Sequence, residues 1–393
     1  MSSPGGTEPV SAPVGDTVTG VPLAPPGAVG DGFAELARWE WWRSSGGDPV
    51  ALATAFLASH GFPVAPLGSS VRPAPSVVGA ALLLGAAALP PDLVSVSPAA
   101  GSPCPSVPDA CVVVLGSGPA SAPGAARIGP WSAPWPGHAA AVEEVREAIA
   151  RGDLYQANVV AHRSAPFSGA PSAVGAALRA VPGTPYAGSL GGDGWSVHSA
   201  SPESFLTIAG GRATVRPIKG TALSSAALAA SAKDRAEHVM IVDLERNDLG
   251  RVAVTGSVDV SGLYTVVPRA GVWHAESTVS ARLVPGTSLD DVLAATFPGG
   301  SVTGAPKRAA LDLIHRIEPV GRGPSMGAFG WVTPGGDVDL GLTIRTFAVA
   351  DGRIHLWTGG GVTWGSDPAA EVAEAAAKAA PLLAALASLS DGP

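Results

Sequence analysis

Fifty-one glycines and 38 prolines punctuate the 393 residues of this chain, about twice the usual density. Residues that break regular structure so often divide a chain into short elements joined by turns. The density approaches the roughly 25–30% of low-complexity sequences. Against that, 46% of the residues are hydrophobic and only 14% are charged. Such a balance can bury a large core, so wholesale disorder is excluded. The length suits two or three ordinary domains, or one large enzyme domain with an appendage.

Lysine and arginine number 24 against 32 aspartates and glutamates, a formal net charge of −8. No basic run appears, which argues against nucleic-acid partners. A small anionic ligand stays open, because a few local cations or a metal ion outweigh a diffuse negative field. Two cysteines, Cys104 and Cys111, make neither a disulfide framework nor a zinc site. The first basic residue is Arg38, so the positive start of a signal peptide is missing. The apolar run 77–90 is too short and too rich in small residues to span about 30 Å of hydrocarbon. These features predict a soluble, cytoplasmic protein with no membrane contact.

Residues 1–32 read as a flexible tail, and 33–125 as a weakly patterned N-terminal region. In that region 33–42 and 51–60 look helical, while 93–96 and 111–115 look like strands. The cluster Arg38-Trp39-Glu40-Trp41-Trp42-Arg43 reads as a set of buried aromatic anchors. Further on, 138–151 is an amphipathic helix with Gly152 as its cap, and 154–163 and 196–199 are strands. A hairpin spans 203–216 around Gly210-Gly211. Helices follow at 227–243 and 306–317. Paired strands occupy 326–332 and 339–349, a last strand 354–357, and an alanine-rich helix 368–387. Strands grouped as hairpins with separate helices predict an α+β fold on large antiparallel sheets, with helices outside.

Five constellations could carry chemistry. Asp234 and Glu237 lie three apart on one helix, and Glu371 and Glu374 on another, with Lys378 one turn beyond. These spacings share a helix face, and an all-oxygen set of this kind suits Mg²⁺. In Arg216-Pro-Ile-Lys219-Gly-Thr221, a lysine closing a strand could lose its proton on burial and act as a nucleophile. Glu203 opens the hairpin whose second strand delivers Lys219, so acid and amine could divide proton donation and attack. The glycine-rich stretch 297–307 suggests a phosphate cradle but lacks the P-loop spacing. Arg345, followed by Gly359-Gly360-Gly361, would make a carboxylate seat. Taken singly, each is better read as a solvated acidic face, a surface lysine, a solvated acid, a loop or a surface arginine. Their order along the chain discriminates.

In that order the motifs are Gly152-Asp-Leu-Tyr-Gln-Ala-Asn158, Ser201-Pro-Glu-Ser-Phe205, Pro217-Ile-Lys-Gly-Thr221 and the helix 236–251. Then come 297–307, Asp339 to Thr346, Gly359-Gly-Gly-Val362 and Ser366 to Glu374. Over 138–388 the chain resembles the chorismate-binding enzymes, which include the large subunits of aminodeoxychorismate and anthranilate synthases. The resemblance implies a catalytic domain over 126–390, with 33–125 a degenerate region packing on it. Lys219 stands where anthranilate synthases carry alanine, and Gln156 where isochorismate synthases place a water-activating lysine; an amide cannot titrate.

The family pattern then implies amination of chorismate at C4, with Lys219 as nucleophile and Glu203 as acid. Glu237 and Glu374 would ligate Mg²⁺ with Asp234 and Glu371 beside them. Arg345, Gly359, Gly361 and Lys378 would hold the substrate, with His274, Thr303 and Gln156 at further pocket positions. Ser325 replaces the tyrosine of an Arg-Gly-x-Tyr-x-Gly pattern. Ammonia would come from a separate glutamine amidotransferase subunit. Anthranilate or aminodeoxyisochorismate formation with an idle Lys219, and a chorismate-binding scaffold without turnover, are the alternatives.

Overall fold

The computed structural model describes residues 31–390 except 95–98, 121, 223 and 270–271. Residues 1–30, most of the expected tail, therefore lie outside the described residues. The strands, in order, are β1 (Asp31–Trp41), β2 (Val77–Leu84), β3 (Ala110–Ala120), β4 (Ala126–Ile128), β5 (Gln156–Gly169), β6 (Tyr186–Gly192), β7 (Trp195–Ser201), β8 (Ser204–Ala209) and β9 (Arg212–Val215). They continue as β10 (Ile218–Ala222), β11 (Asp259–Arg269), β12 (Val272–Arg282), β13 (Gly304–Ala305), β14 (Ala328–Val332), β15 (Val338–Leu342), β16 (Thr346–Ala350) and β17 (Arg353–Val362). The helices are α1 (Pro49–Ser59), α2 (His138–Ala150), α3 (Ser172–Arg179), α4 (Ser225–Ala230), α5 (Ala232–Gly250), α6 (Leu289–Thr296), α7 (Lys307–Ile317) and α8 (Pro368–Ala385).

Two antiparallel sheets organise these elements, as the α+β reading expects. A ten-stranded sheet runs β1-β3-β2-β14-β15-β8-β9-β12-β10, with β11 on β12. A seven-stranded sheet runs β13-β5-β17-β16-β7-β6, with β4 on β5. The largest core cluster lies along the first sheet and reaches the second through Val160, Leu190, Val197 and Trp357. A second cluster packs α3 and α8 on β7, β16 and β17. Among the described residues no helix is long and apolar enough to cross a membrane.

Several local expectations change. The segment 33–42 is strand β1, not a helix: its residues pair with β3 in the registers Trp39↔Val112 and Trp41↔Ala110. The valines Val112, Val113 and Val114 of β3 lie opposite 37–39, and this pairing outweighs the helical reading. Trp41 is buried and donates to the Gly46 carbonyl at 2.8 Å, and the Arg38 guanidinium covers the Trp195 ring at 5.8 Å. In 93–96, Pro91–Leu93 is a single 3₁₀ turn, and 95–98 fall outside the described residues. The helix expected over 227–243 is broken at Ser231, whose hydroxyl accepts the Asp234 N–H and caps α5. The apolar run 77–90 contains β2, an interior strand of the first sheet. The β11–β12 hairpin lies outside the expected strands, although Trp273, Ala275, Val279 and Ala281 alternate with polar residues along β12. Both thiols are free and buried, and burial pushes Cys104 up to about 11 and Cys111 up to about 12.

Two crossovers between the sheets position the site. The chain leaves β7 in the smaller sheet and enters β8 in the larger one through Pro202 and Glu203. It returns through Thr343, Ile344 and Arg345, between β15 and β16. The segment 339–349 is thus two strands in different sheets, and Arg345 turns the corner with φ +50°. The two crossovers run side by side: Leu342 N–H donates to the Glu203 carbonyl and Ala200 N–H to the Arg345 carbonyl, both at 3.0 Å.

Candidate active site

At this seam lies a cavity of about 730 Å³. On one side stand β10 and the start of α5, with Lys219, Asp234 and Glu237; on the other stand β17 and α8, with Gly359, Gly361, Glu371, Glu374 and Lys378. Glu203 and Arg345 enter from the crossovers and His274 from β12. Every candidate from the sequence lines this cleft except Gln156, Thr303 and Ser325.

Lys219 is aimed by a bulge. The β10–β12 register slips between Lys219 and Thr221, and the residue between them, Gly220, has φ +78°. A Cβ there would also stand 2.6 Å from the Leu228 side chain. Such bulges redirect a neighbouring side chain. Burial lowers the Lys219 pKa, and the nearby carboxylates of Glu203, Glu237 and Glu374 oppose the shift. Burial likewise raises Glu203, while Lys219, the Ser301 hydroxyl and the Ile218 N–H favour its anion. Acid and amine are each pushed toward the uncharged form.

The strand expected over 354–357 continues as β17 through the triple glycine, pairing Gly359↔Val160 and Gly361↔Asn158. A Cβ on Gly359 would lie 1.9 Å from the Val159 carbonyl oxygen. On Gly361 it would lie 2.8 Å from Gln156 Nε2 and 3.1 Å from Lys219 Nζ. The two glycines serve different ends. Gly359→Ala is expected to cost about 1–3 kcal/mol of stability by forcing β17 off β5. Gly361→Ala is expected to lower kcat/KM about tenfold or more by displacing the amine. Thermal melts beside steady-state rates separate the two.

On α8, Lys378 pairs with Glu374 at 2.7 Å and donates to the Gly359 carbonyl at 2.9 Å. Glu237 accepts from the Thr363 hydroxyl at 3.0 Å. A Cβ on Gly360 would stand 3.3 Å from Glu371 Oε2 and 3.7 Å from Glu374 Oε1, so the bare backbone leaves space beside both oxygens. Among the described residues no three acidic, imidazole or thiol groups converge on one point. The donor set is nevertheless all oxygen, which fits a hard divalent cation.

Gln156 lies behind Gly361, fully buried, and neither side-chain amide atom has a hydrogen-bond partner. The Thr303 hydroxyl donates to the Gly299 carbonyl at 2.8 Å, and the buried Ser325 hydroxyl to the Thr343 carbonyl at 3.2 Å. Both are engaged with backbone outside the lining. The cleft adds residues that sequence reasoning missed, including Ser301, Asn158, Met326, Ile344, Trp357 and Thr358. Ser301 fell inside a stretch legible only as a loop. Met326 and Trp357 read only as the ends of expected strands.

Fold and cleft together define an α+β enzyme scaffold whose site gathers Asp234, Glu237, Glu371 and Glu374 with Lys219, Arg345 and Lys378. The model of the chorismate binding enzyme family matches residues 131–384, and the chain belongs to that family. It is 39% identical over 241 residues to aminodeoxychorismate synthase component 1 of Escherichia coli strain K12, covering 59% of this chain and 53% of that protein. It is 40% identical over 256 residues to anthranilate synthase component 1 of Streptomyces coelicolor, covering 62% and 50%. The chain spans about half the length of these curated relatives. The crystal structure of anthranilate synthase component I from Streptococcus pneumoniae TIGR4 shares the fold, with a TM-score of 0.72 at 24% identity. That match covers 89% of this chain and 92% of the other.

Proposed function

We propose that the chain is component I of an aminodeoxychorismate synthase, converting chorismate and ammonia to 4-amino-4-deoxychorismate and water. The observation that carries this reading is the pairing in one cleft of Lys219 and Glu203, an amine and an acid each shifted toward neutrality. A neutral amine attacks, and a protonated carboxyl donates. Lys219 Nζ forms a bond to ring C2, both ring double bonds shift toward C4, and the C4–O bond breaks as Glu203 protonates the departing hydroxyl. The proton released from the adduct nitrogen returns to Glu203. Ammonia then adds at C4, both double bonds shift back, and the C2–N bond breaks as Glu203 protonates the leaving lysine nitrogen. The added ammonia gives its proton to Glu203 in turn. Arg345 and the β17 backbone seat the enolpyruvyl carboxylate, and Lys378 adds positive charge near the ring carboxylate. Glu237 and Glu374 would hold Mg²⁺, with Asp234 and Glu371 beside them; when bound, it supplies the charge that seats the ring carboxylate. The ammonia comes from a separate glutamine amidotransferase, and the product feeds the p-aminobenzoate branch of folate synthesis.

Anthranilate formation is the second reading, favoured by the 40% identity to an anthranilate synthase component 1, against 39% to the aminodeoxychorismate synthase component. Incubation with chorismate, Mg²⁺ and an ammonium salt, followed by an aminodeoxychorismate lyase, decides. p-Aminobenzoate supports amination at C4; anthranilate appearing without the lyase overturns it. Chelation is expected to abolish turnover and added Mg²⁺ to restore it, with Ca²⁺ restoring less because it favours more ligands at longer distances. Full activity in excess chelator would remove the metal from the reading.

A further inference from the structure

The turn Gly300–Val302 is clamped by buried groups on both sides. Gly300 N–H donates to Glu245 Oε1 at 3.3 Å, and Arg322 Nη1 donates to the Val302 carbonyl at 2.7 Å. Asn158 Nδ2 donates to the Ser301 carbonyl at 3.4 Å. From the middle of this turn the Ser301 side chain hydrogen-bonds to Glu203. The two clamps differ electrostatically. Arg322 is ion-paired with Glu318 at 2.7 Å. Glu245, only 6% exposed, sits beside Asp248, whose Oδ2 takes Lys307 Nζ at 2.8 Å. The same ammonium also donates to the Thr296 carbonyl of α6. Glu245 Oε2 has no hydrogen-bond partner.

Two buried carboxylates therefore share one lysine, with the Glu203 carboxyl a third acid nearby. Ionising both beside a single cation costs more than leaving a proton on one. Asp248 holds the short bond to Lys307, which leaves Glu245 as the carboxyl that favours its proton. Burial first, and then Asp248, push its carboxyl up to about 8.

We propose that Glu245, as a neutral carboxyl, is a positioning residue that fixes the Gly300–Val302 turn so that Ser301 presents its hydroxyl to Glu203. The proposal rests on Glu203 being the acid of the amination above. Glu245 touches no reacting atom. It keeps an acceptor for the Gly300 N–H without placing a second unbalanced anion behind the acid.

Glu245→Gln keeps an acceptor and removes the ionisable group; Glu245→Leu removes both. The folded chain holds the Glu245 proton up to about pH 8, while the unfolded chain releases it in the ordinary carboxylate range. Wild-type stability therefore falls across that window. The Tm of Glu245→Gln is expected to match wild type near about pH 5 and to exceed it progressively toward about pH 8. Parallel Tm–pH curves would show that Glu245 is ionised in the fold and overturn the proposal. With chorismate and ammonium, Glu245→Gln is expected to keep kcat within about twofold, whereas Glu245→Leu loses about tenfold or more in kcat with KM little changed. Equal rates for the two variants, or a loss confined to KM, would equally overturn it. If Glu203→Gln aminates at the wild-type rate, the acid assignment fails instead, and the Tm comparison still reports on the Glu245 proton.

Discussion

Lys219→Ala is expected to lower chorismate amination by at least about 10³-fold, because the variant has no amine to open the covalent route. Fold and melting temperature should hold, since alanine sits readily in β10 and leaves the bulge at Gly220 in place. Lys219 is the nucleophile and not part of the carboxylate seats, so chorismate affinity should fall less than kcat. Rates measured with ammonium salts isolate this chain from any partner. A variant that aminates at the wild-type rate would exclude the lysine adduct and leave direct displacement by ammonia.

Glu203→Gln carries the second large effect, a drop in kcat of about 10²–10⁴-fold, the usual range for a lost general acid. Glutamine can still accept from Ser301 and from the Ile218 N–H, so the lost quantity is the proton itself. The pH dependence follows from the directions of the shifts. Glu203 must hold its proton to donate, so wild-type activity falls as pH rises through its raised pKa. Lys219 must be neutral to attack, so activity falls as pH drops through its lowered pKa. The two groups interact, so the bell-shaped profile belongs to the pair. In Glu203→Gln the alkaline fall due to this acid should be absent, because an amide does not titrate. A residual profile with both limbs unmoved would place the acid elsewhere, and Ser301 would then need another role.

Parts of the site were legible because their signals are local. The spacings that group Asp234 with Glu237, and Glu371 with Glu374 and Lys378, depend only on 3.6 residues per turn. The Gly210-Gly211 hairpin follows from turn chemistry between two short alternating strands, but its second strand ends at Val215, and Lys219 lies beyond it on β10, paired with β12. The errors share a cause. The segment 33–42 reads as a helix until β3, some 75 residues away, supplies pairing partners. The segment 339–349 contains no proline and a single glycine, Gly341, and nothing in it marks that Arg345 turns from one sheet to the other. Gly359 to Gly361 resemble a loop because glycine weakens isolated strands, yet β5 supplies the missing pairing. Glu245 stands in a quoted motif, but its burial beside Asp248 depends on α7 delivering Lys307 to the other carboxylate.

The sequence by itself determined which chemical groups are present, which helix faces carry them, and the antiparallel α+β class. These properties come from covalent spacing and local backbone preference. Tertiary structure alone decided that two crossovers between sheets lay Glu203 and Arg345 side by side. It also decided that Gly361 gives way to the Lys219 amine, and that Ser301, Trp357 and Glu245 join the surroundings of the site. Burial and long-range pairing settle such matters, because desolvation and strand partnership depend on residues remote in the chain.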